Sequence, residues 1–102
     1  MKGSTVIVYL REPRERMWGI LHSIDVTGLY MQGLDVNSFD QWLSDIPKEE
    51  PFTLTLSKLF FPMHRVEKVL VDESTGSIPS LSEKFEARMG KKLSDFFPSF
   101  EQ

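Results

Sequence analysis

Every position along Thr5-Val6-Ile7-Val8-Tyr9-Leu10 is β-branched, aromatic or aliphatic, a run that predicts a strand. Arg11-Glu12-Pro13-Arg14-Glu15 ends it, because proline withholds a ladder hydrogen bond and the charges favour water. A second strand is expected over Arg16 to Asp25, where Gly19 marks a bulge or bend at which another backbone comes close. A third, Thr27 to Leu34, places Leu29, Met31 and Gly33 on one face and Gly28, Tyr30, Gln32 and Leu34 on the other. The period then changes. Phe39, Trp42, Leu43 and Ile46 recur at i, i+3, i+4, i+7, which predicts an amphipathic helix inserted over residues 38–46, with Ser38 and Gln41 as a capping box and Pro47 as its stop. After the polar loop Lys48-Glu49-Glu50-Pro51, two more strands are expected at Phe52 to Phe61 and His64 to Asp72, separated by Pro62. A loop over Glu73 to Ser77 leads to a second capping box, Ser80 with Glu83. It opens a helix with Leu81, Phe85 and Met89 on one face and Gly90 at its end, and a tail runs from Lys91 to Gln102.

Five strands with an inserted helix and a C-terminal helix and tail over 81–102 read as an α+β, mostly β, fold. A length of 102 residues suits one domain spanning 1–102, since two would each be too small to bury a core. Twelve Lys and Arg against fifteen Asp and Glu leave a net charge of −3, so phosphate would need a local basic patch. The absence of cysteine excludes disulfides, thiolate metal sites and a cysteine nucleophile. No apolar run is long enough to span a bilayer, and Met1-Lys2-Gly3-Ser4 leads into a strand, which gives the expectation of a cytoplasmic protein without membrane partners. Two histidines without His-x-x-x-His spacing give no support for a metal site or cofactor. No phosphate loop, nucleophile elbow or Ser/His/Asp order stands out, so catalysis is not expected. An active site assembled between subunits is a third reading that one chain leaves open.

Gly19-x-Leu21-x-Ser23-Ile24-Asp25, preceded by Val6-Ile7-Val8-Tyr9-Leu10, resembles the first signature of the Sm-like proteins, especially their bacterial RNA chaperones. His64-Arg65-Val66-Glu67-Lys68-Val69 is similar to the second, where those proteins carry a Tyr-Lys-His triplet ahead of the final strand. The resemblance implies a small, strongly bent five-stranded antiparallel barrel whose fourth and fifth strands pair with neighbours to form a homo-oligomeric ring. Val66, Val69 and Val71 would then lie near the junction. It also implies single-stranded RNA as ligand. Two departures bear on that ligand. The triplet here is Pro62-Met63-His64, and the polar-aromatic pair expected after Asp25 is Val26-Thr27. With the stacking ring gone, at about 1–3 kcal/mol per base, binding at such a pocket would fall roughly tenfold to a hundredfold per site. The insertion after Leu34 carries Asp35, Asp40, Asp45, Glu49 and Glu50 against Lys48, which disfavours RNA on that side and suits a basic protein.

His64, Arg65 and Lys68 form the candidate nucleic-acid patch; the alternative for His64 is a turn histidine bonded to local backbone. Arg11, Arg14 and Arg16 alternate with Glu12 and Glu15, which reads as a solvated hairpin tip rather than a phosphate clamp. His22 is in phase with Trp18, Ile20 and Ile24, so it is expected on or beside the core, and Asp25 is expected to bond the backbone of Thr27 or Gly28. Among the aromatics Trp18, Trp42, Phe60 and Phe61 the expectation is core, with Trp18 or Phe61 as the ring that could offer a stacking face. In the tail, Leu93, Phe96, Phe97 and Phe100 need cover, either on their own domain or, with Phe96 and Phe97 as interface residues, on a neighbouring copy or protein partner. A protein-binding or assembly scaffold without nucleic acid is therefore the rival to an RNA-binding ring.

Overall fold

The structure is a computed structural model of the whole chain and describes residues 4–46, 56–73 and 80–90. Among these residues five antiparallel strands, β1 (Thr5–Leu10), β2 (Glu15–Ile24), β3 (Gly28–Asp35), β4 (Ser57–Pro62) and β5 (Val66–Val71), form one sheet in the order β4-β3-β2-β1-β5, with two helices, α1 (Phe39–Asp45) and α2 (Leu81–Met89). The domain is thus α+β and mostly strand. β4 and β5, neighbours in sequence, occupy opposite edges, yet only the 3₁₀ turn Met63–Arg65 joins them. Flat, five strands would set their outer members roughly 19 Å apart. Four backbone steps reach at most about 14 Å, and less when wound as a 3₁₀ turn. The sheet therefore curls until its two edges approach at this turn. The Met63 amide donates to the Thr27 carbonyl and the Arg11 amide to the Arg65 carbonyl, fixing both sides of the junction. β4 and β5 do not pair with each other, so the sheet stays open.

Each strand alternates, and the curl gives its two faces different fates. Val6, Val8, Leu10, Met17, Leu21, Leu29 and Met31 fill the concave side, with Leu59, Phe61, Val66 and Val69 packed against them, so all five strands contribute. Trp18 and Ile20 project from the convex side into a second cluster with Phe39, Ile46 and Phe85, covered by Trp42 and Leu43 of α1 and Leu81 and Met89 of α2. Trp18 meets Phe39 edge-on at 4.9 Å between ring centres, and Trp42 stacks on Phe85 at 5.9 Å. Gly19 and Gly33 face each other across the β2–β3 ladder, and a methyl group on either would strike the partner backbone. The close approach expected at Gly19 is present, but the bulge lies three residues later: Leu21 opposes Met31 and Ser23 opposes Tyr30, with His22 the extra residue between them.

The helix ends test the capping expectations. Ser80 Oγ accepts from the Glu83 amide at 3.0 Å, and Gly90 adopts the left-handed conformation (φ 71°) that closes α2. The first box is corrected. Ser38 already has helical backbone angles as part of a 3₁₀ turn (Val36–Ser38), and its side chain makes no capping bond; Asp35 caps that turn instead, accepting from the Asn37 amide at 2.7 Å. The fifth strand begins at Val66 rather than His64, because Met63–Arg65 must turn the chain between the two edges. Pro47, the loop at 48–51, the start of the fourth predicted strand, most of the loop before Ser80, and the tail with Phe96 and Phe97 lie outside the described residues.

Candidate functional site

Asp25 holds the β2–β3 turn. Its Oδ1 accepts from the Thr27 amide and hydroxyl and from the Gly28 amide, while its own amide donates to the Gly28 carbonyl. These donors, the Thr27 hydroxyl foremost, hold the exposed carboxyl below its ordinary range.

The nucleic-acid patch expected at His64, Arg65 and Lys68 is spread over a turn and a strand. His64 is exposed on the 3₁₀ turn, and its carbonyl accepts from Arg11 Nε at 2.8 Å. Arg65 reaches across to the β1–β2 hairpin: Nε donates to the Arg11 carbonyl at 3.1 Å, and Nη2 to the Pro13 carbonyl and Glu15 Oε1, both at 2.9 Å. Its guanidinium thus fastens the junction to the hairpin. Lys68, exposed on β5, sets its ammonium 4.6 Å from the centre of the Tyr9 ring opposite it, a cation–π contact. Of the expected interface valines, Val66 and Val69 turn into the concave core, and Val71 is 45% exposed.

The hairpin-tip reading of Arg11 to Glu15 gains a detail no spacing could supply: the tip is clasped by Arg65, more than fifty positions away. Asp72 was equally hidden. Its carboxylate accepts from Trp18 Nε1 at 2.9 Å, from the amides of Leu81 and Ser82 at 3.1 and 2.8 Å, and from Ser82 Oγ at 2.9 Å. One side chain therefore ties the end of β5 to the central tryptophan and the start of α2.

The convex face not covered by the helices carries the most ligand-like feature. Tyr30 of β3 and Phe60 of β4 are cross-strand partners, 55% and 43% exposed, with ring centres 4.6 Å apart and planes inclined at 48°. They wall a groove of about 520 Å³ that His22, Ser23, Met31, Lys58 and Leu59 complete. Gly28 makes this possible, because a Cβ there would meet the Phe60 ring at 2.6 Å. Gln32 holds the lining residue His22 in place: its Nε2 donates to the Leu56 carbonyl at 3.2 Å, which leaves Oε1 to accept from His22 Nε2 at 3.1 Å. Among the described residues the exposed rings are thus Tyr30 and Phe60, not Trp18, which is fully buried, or Phe61, which faces inward. Strand parity could have marked Tyr30, since it opposes Leu29 and Met31. Phe60-Phe61 presents a ring to each face and gives no such signal.

Among the described residues no group of three histidine, aspartate or glutamate side chains is placed to hold a metal ion, and no helix is long and apolar enough to cross a membrane. Compared with family models, curated proteins and solved structures, the chain matches none.

Proposed function

We propose that this protein is a non-catalytic interaction module that assembles with copies of itself through the two outermost strands of its sheet. The observation that carries the reading is the pair of open edges. Among the described residues β4 and β5 each have a strand on one side only, and β5 exposes Leu70 and Val71 at 44% and 45%. Open edges with apolar side chains are templates for a further strand, and proteins that stay monomeric blunt them with charge or proline. Placing Leu70 of one copy opposite Phe60 of another sets Lys58 against Asp72 if the strands run antiparallel. It sets Lys58 against Lys68 if they run parallel, so charge favours the antiparallel contact. The Sm-like resemblance fits the same arrangement, since it expects the fourth and fifth strands to meet their neighbours, and it extends the reading to a bent barrel repeated around a ring.

The test is the molar mass of the full chain by light scattering after size exclusion. A whole-number multiple of 11.8 kDa is expected, with Leu70→Lys and Val71→Lys returning it to the monomer while circular dichroism stays unchanged. A wild-type monomer at the highest attainable concentration overturns the reading.

Single-stranded RNA at His64 and Lys68 is the second reading, favoured by their exposure beside the edge that would form each junction, although Arg65 is engaged with the hairpin. Anisotropy of labelled U-rich and A-rich RNA should then show saturable binding that weakens with salt and is lost in a His64→Ala, Lys68→Ala double variant. Absence of binding at low salt would leave the protein scaffold, whose expected partner contact through the tail lies outside the described residues.

A further inference from the structure

We propose that the groove between Tyr30, Phe60, His22 and Lys58 binds a nucleotide unit, a flat heteroaromatic base carrying phosphate. The proposal does not rest on self-assembly, and it lies away from the His64 and Lys68 patch. Three observations converge on it. The first is the ring pair: two exposed aromatics inclined at 48° offer a face on which a planar ring can stack, which an aliphatic patch would not. Their exposure follows from the fold, since α1 and α2 cover the convex face over Trp18 and Ile20 but not over the end of the sheet where Tyr30 and Phe60 stand.

The second is charge. The chain as a whole is acidic, yet among the described residues the groove is lined by a lysine and no carboxylate. Lys58 sits two positions from Phe60 on β4 and therefore on the same face, where its ammonium can meet a phosphate attached to a base stacked on the ring. The third is fit. A volume of about 520 Å³ lies within the range of small-molecule sites, and Ser23, beside the bulge, is part of the lining and brings a hydroxyl that can meet a base edge. The walls are set before any ligand arrives, because Gln32 bridges the Leu56 carbonyl and the His22 ring, and Phe60 rests over Gly28. Strand addition at β4 would leave the ring faces uncovered, since paired strands lie edge to edge while these side chains stand perpendicular to the sheet, and the Asp72 carboxylate that would lie opposite Lys58 is already bound by Trp18, Leu81 and Ser82.

The experiment is a ¹H–¹⁵N and aromatic ¹H–¹³C NMR titration of the full chain with uridine monophosphate, adenosine monophosphate, uridine, inorganic phosphate and a U-rich hexanucleotide. Expected are saturable shifts at Ser23, Tyr30, Lys58 and Phe60 with the nucleotides, several-fold weaker binding of uridine, and none of phosphate alone. Phe60→Leu, which keeps the apolar cover and removes the ring face, should weaken binding roughly tenfold, and so should Tyr30→Leu. Lys58→Gln should lower nucleotide affinity several-fold and leave uridine unchanged. Equal binding per site by mononucleotide and hexanucleotide would identify a free nucleotide as ligand; affinity that rises with length and falls with salt would identify a single strand. The proposal is overturned by an absence of shifts at millimolar nucleotide, or by shifts confined to His64 and Lys68. It is overturned equally by shifts that track protein concentration without nucleotide, which would give the groove to a second copy.

Discussion

Replacing Asp72 by alanine removes an acceptor that four donors share: the Trp18 indole, the amides of Leu81 and Ser82, and the Ser82 hydroxyl. The indole matters most. Trp18 is fully buried, so without Asp72 its N–H is left in an apolar cluster, at a cost of about 1–3 kcal/mol. The start of α2 loses a negative charge that meets its free amides, worth about 1 kcal/mol, while Ser80 continues to cap Glu83. The sum is about 3 kcal/mol, which for a domain of this size lowers the melting temperature by roughly 10–20 °C. Urea unfolding followed by tryptophan fluorescence and circular dichroism measures it, and a double-mutant cycle with Trp18→Phe isolates the indole. If the reasoning holds, Asp72→Ala is milder by about 1–2 kcal/mol in the Trp18→Phe background, because no buried donor is then orphaned. An Asp72→Ala protein within about 0.5 kcal/mol of wild type, or strictly additive variants, would refute the clamp.

Gly19→Ala forces a methyl group into the Gln32 carbonyl and should destabilise by about 3 kcal/mol; a chemical denaturation curve that superimposes on wild type would show that β2 and β3 can separate without penalty. Arg65→Met removes two bonds to hairpin carbonyls and a partly solvated ion pair, with an expected loss of about 2 kcal/mol and faster hydrogen exchange at the Arg11 amide; unchanged exchange there would show that the hairpin stands without its clasp. Asp25 has its pKa lowered in the folded state relative to 3.8, so its stabilising effect is complete above that value and fades as pH falls through the folded value. The stability gap between wild type and Asp25→Asn should therefore narrow between about pH 5 and pH 2, and a gap constant across that window would contradict the bonding described at the β2–β3 turn.

What the sequence disclosed divides by the range of the interaction. β1 has the bounds that its β-branched run predicts, and α2 has both its cap and its stop, because each depends on residues a few positions apart. The faces of β3 were legible for the same reason. The bulges at His22 and between Val66 and Lys68 were not, since a bulge belongs to a pair of strands and not to either sequence alone. Ser38 failed as a cap because the chain had already begun to turn at Val36, a choice made by Asp35 from outside the motif. The partners of Arg65 and Asp72, and the pairing of Phe60 with Tyr30, are brought together only by folding, and no local pattern announces them.

The short link between the outermost strands also constrains how the chain is made. β1 leaves the ribosome some sixty positions ahead of β5, so one side of it waits for that strand before its amides and carbonyls are answered. Until Val66 to Val71 emerges, the nascent sheet ends in an unprotected apolar strand with no charged residue among its six. A pause in synthesis before Val66 leaves that strand open to any other extended chain nearby, so it is β5 that closes this side of β1 to strand addition.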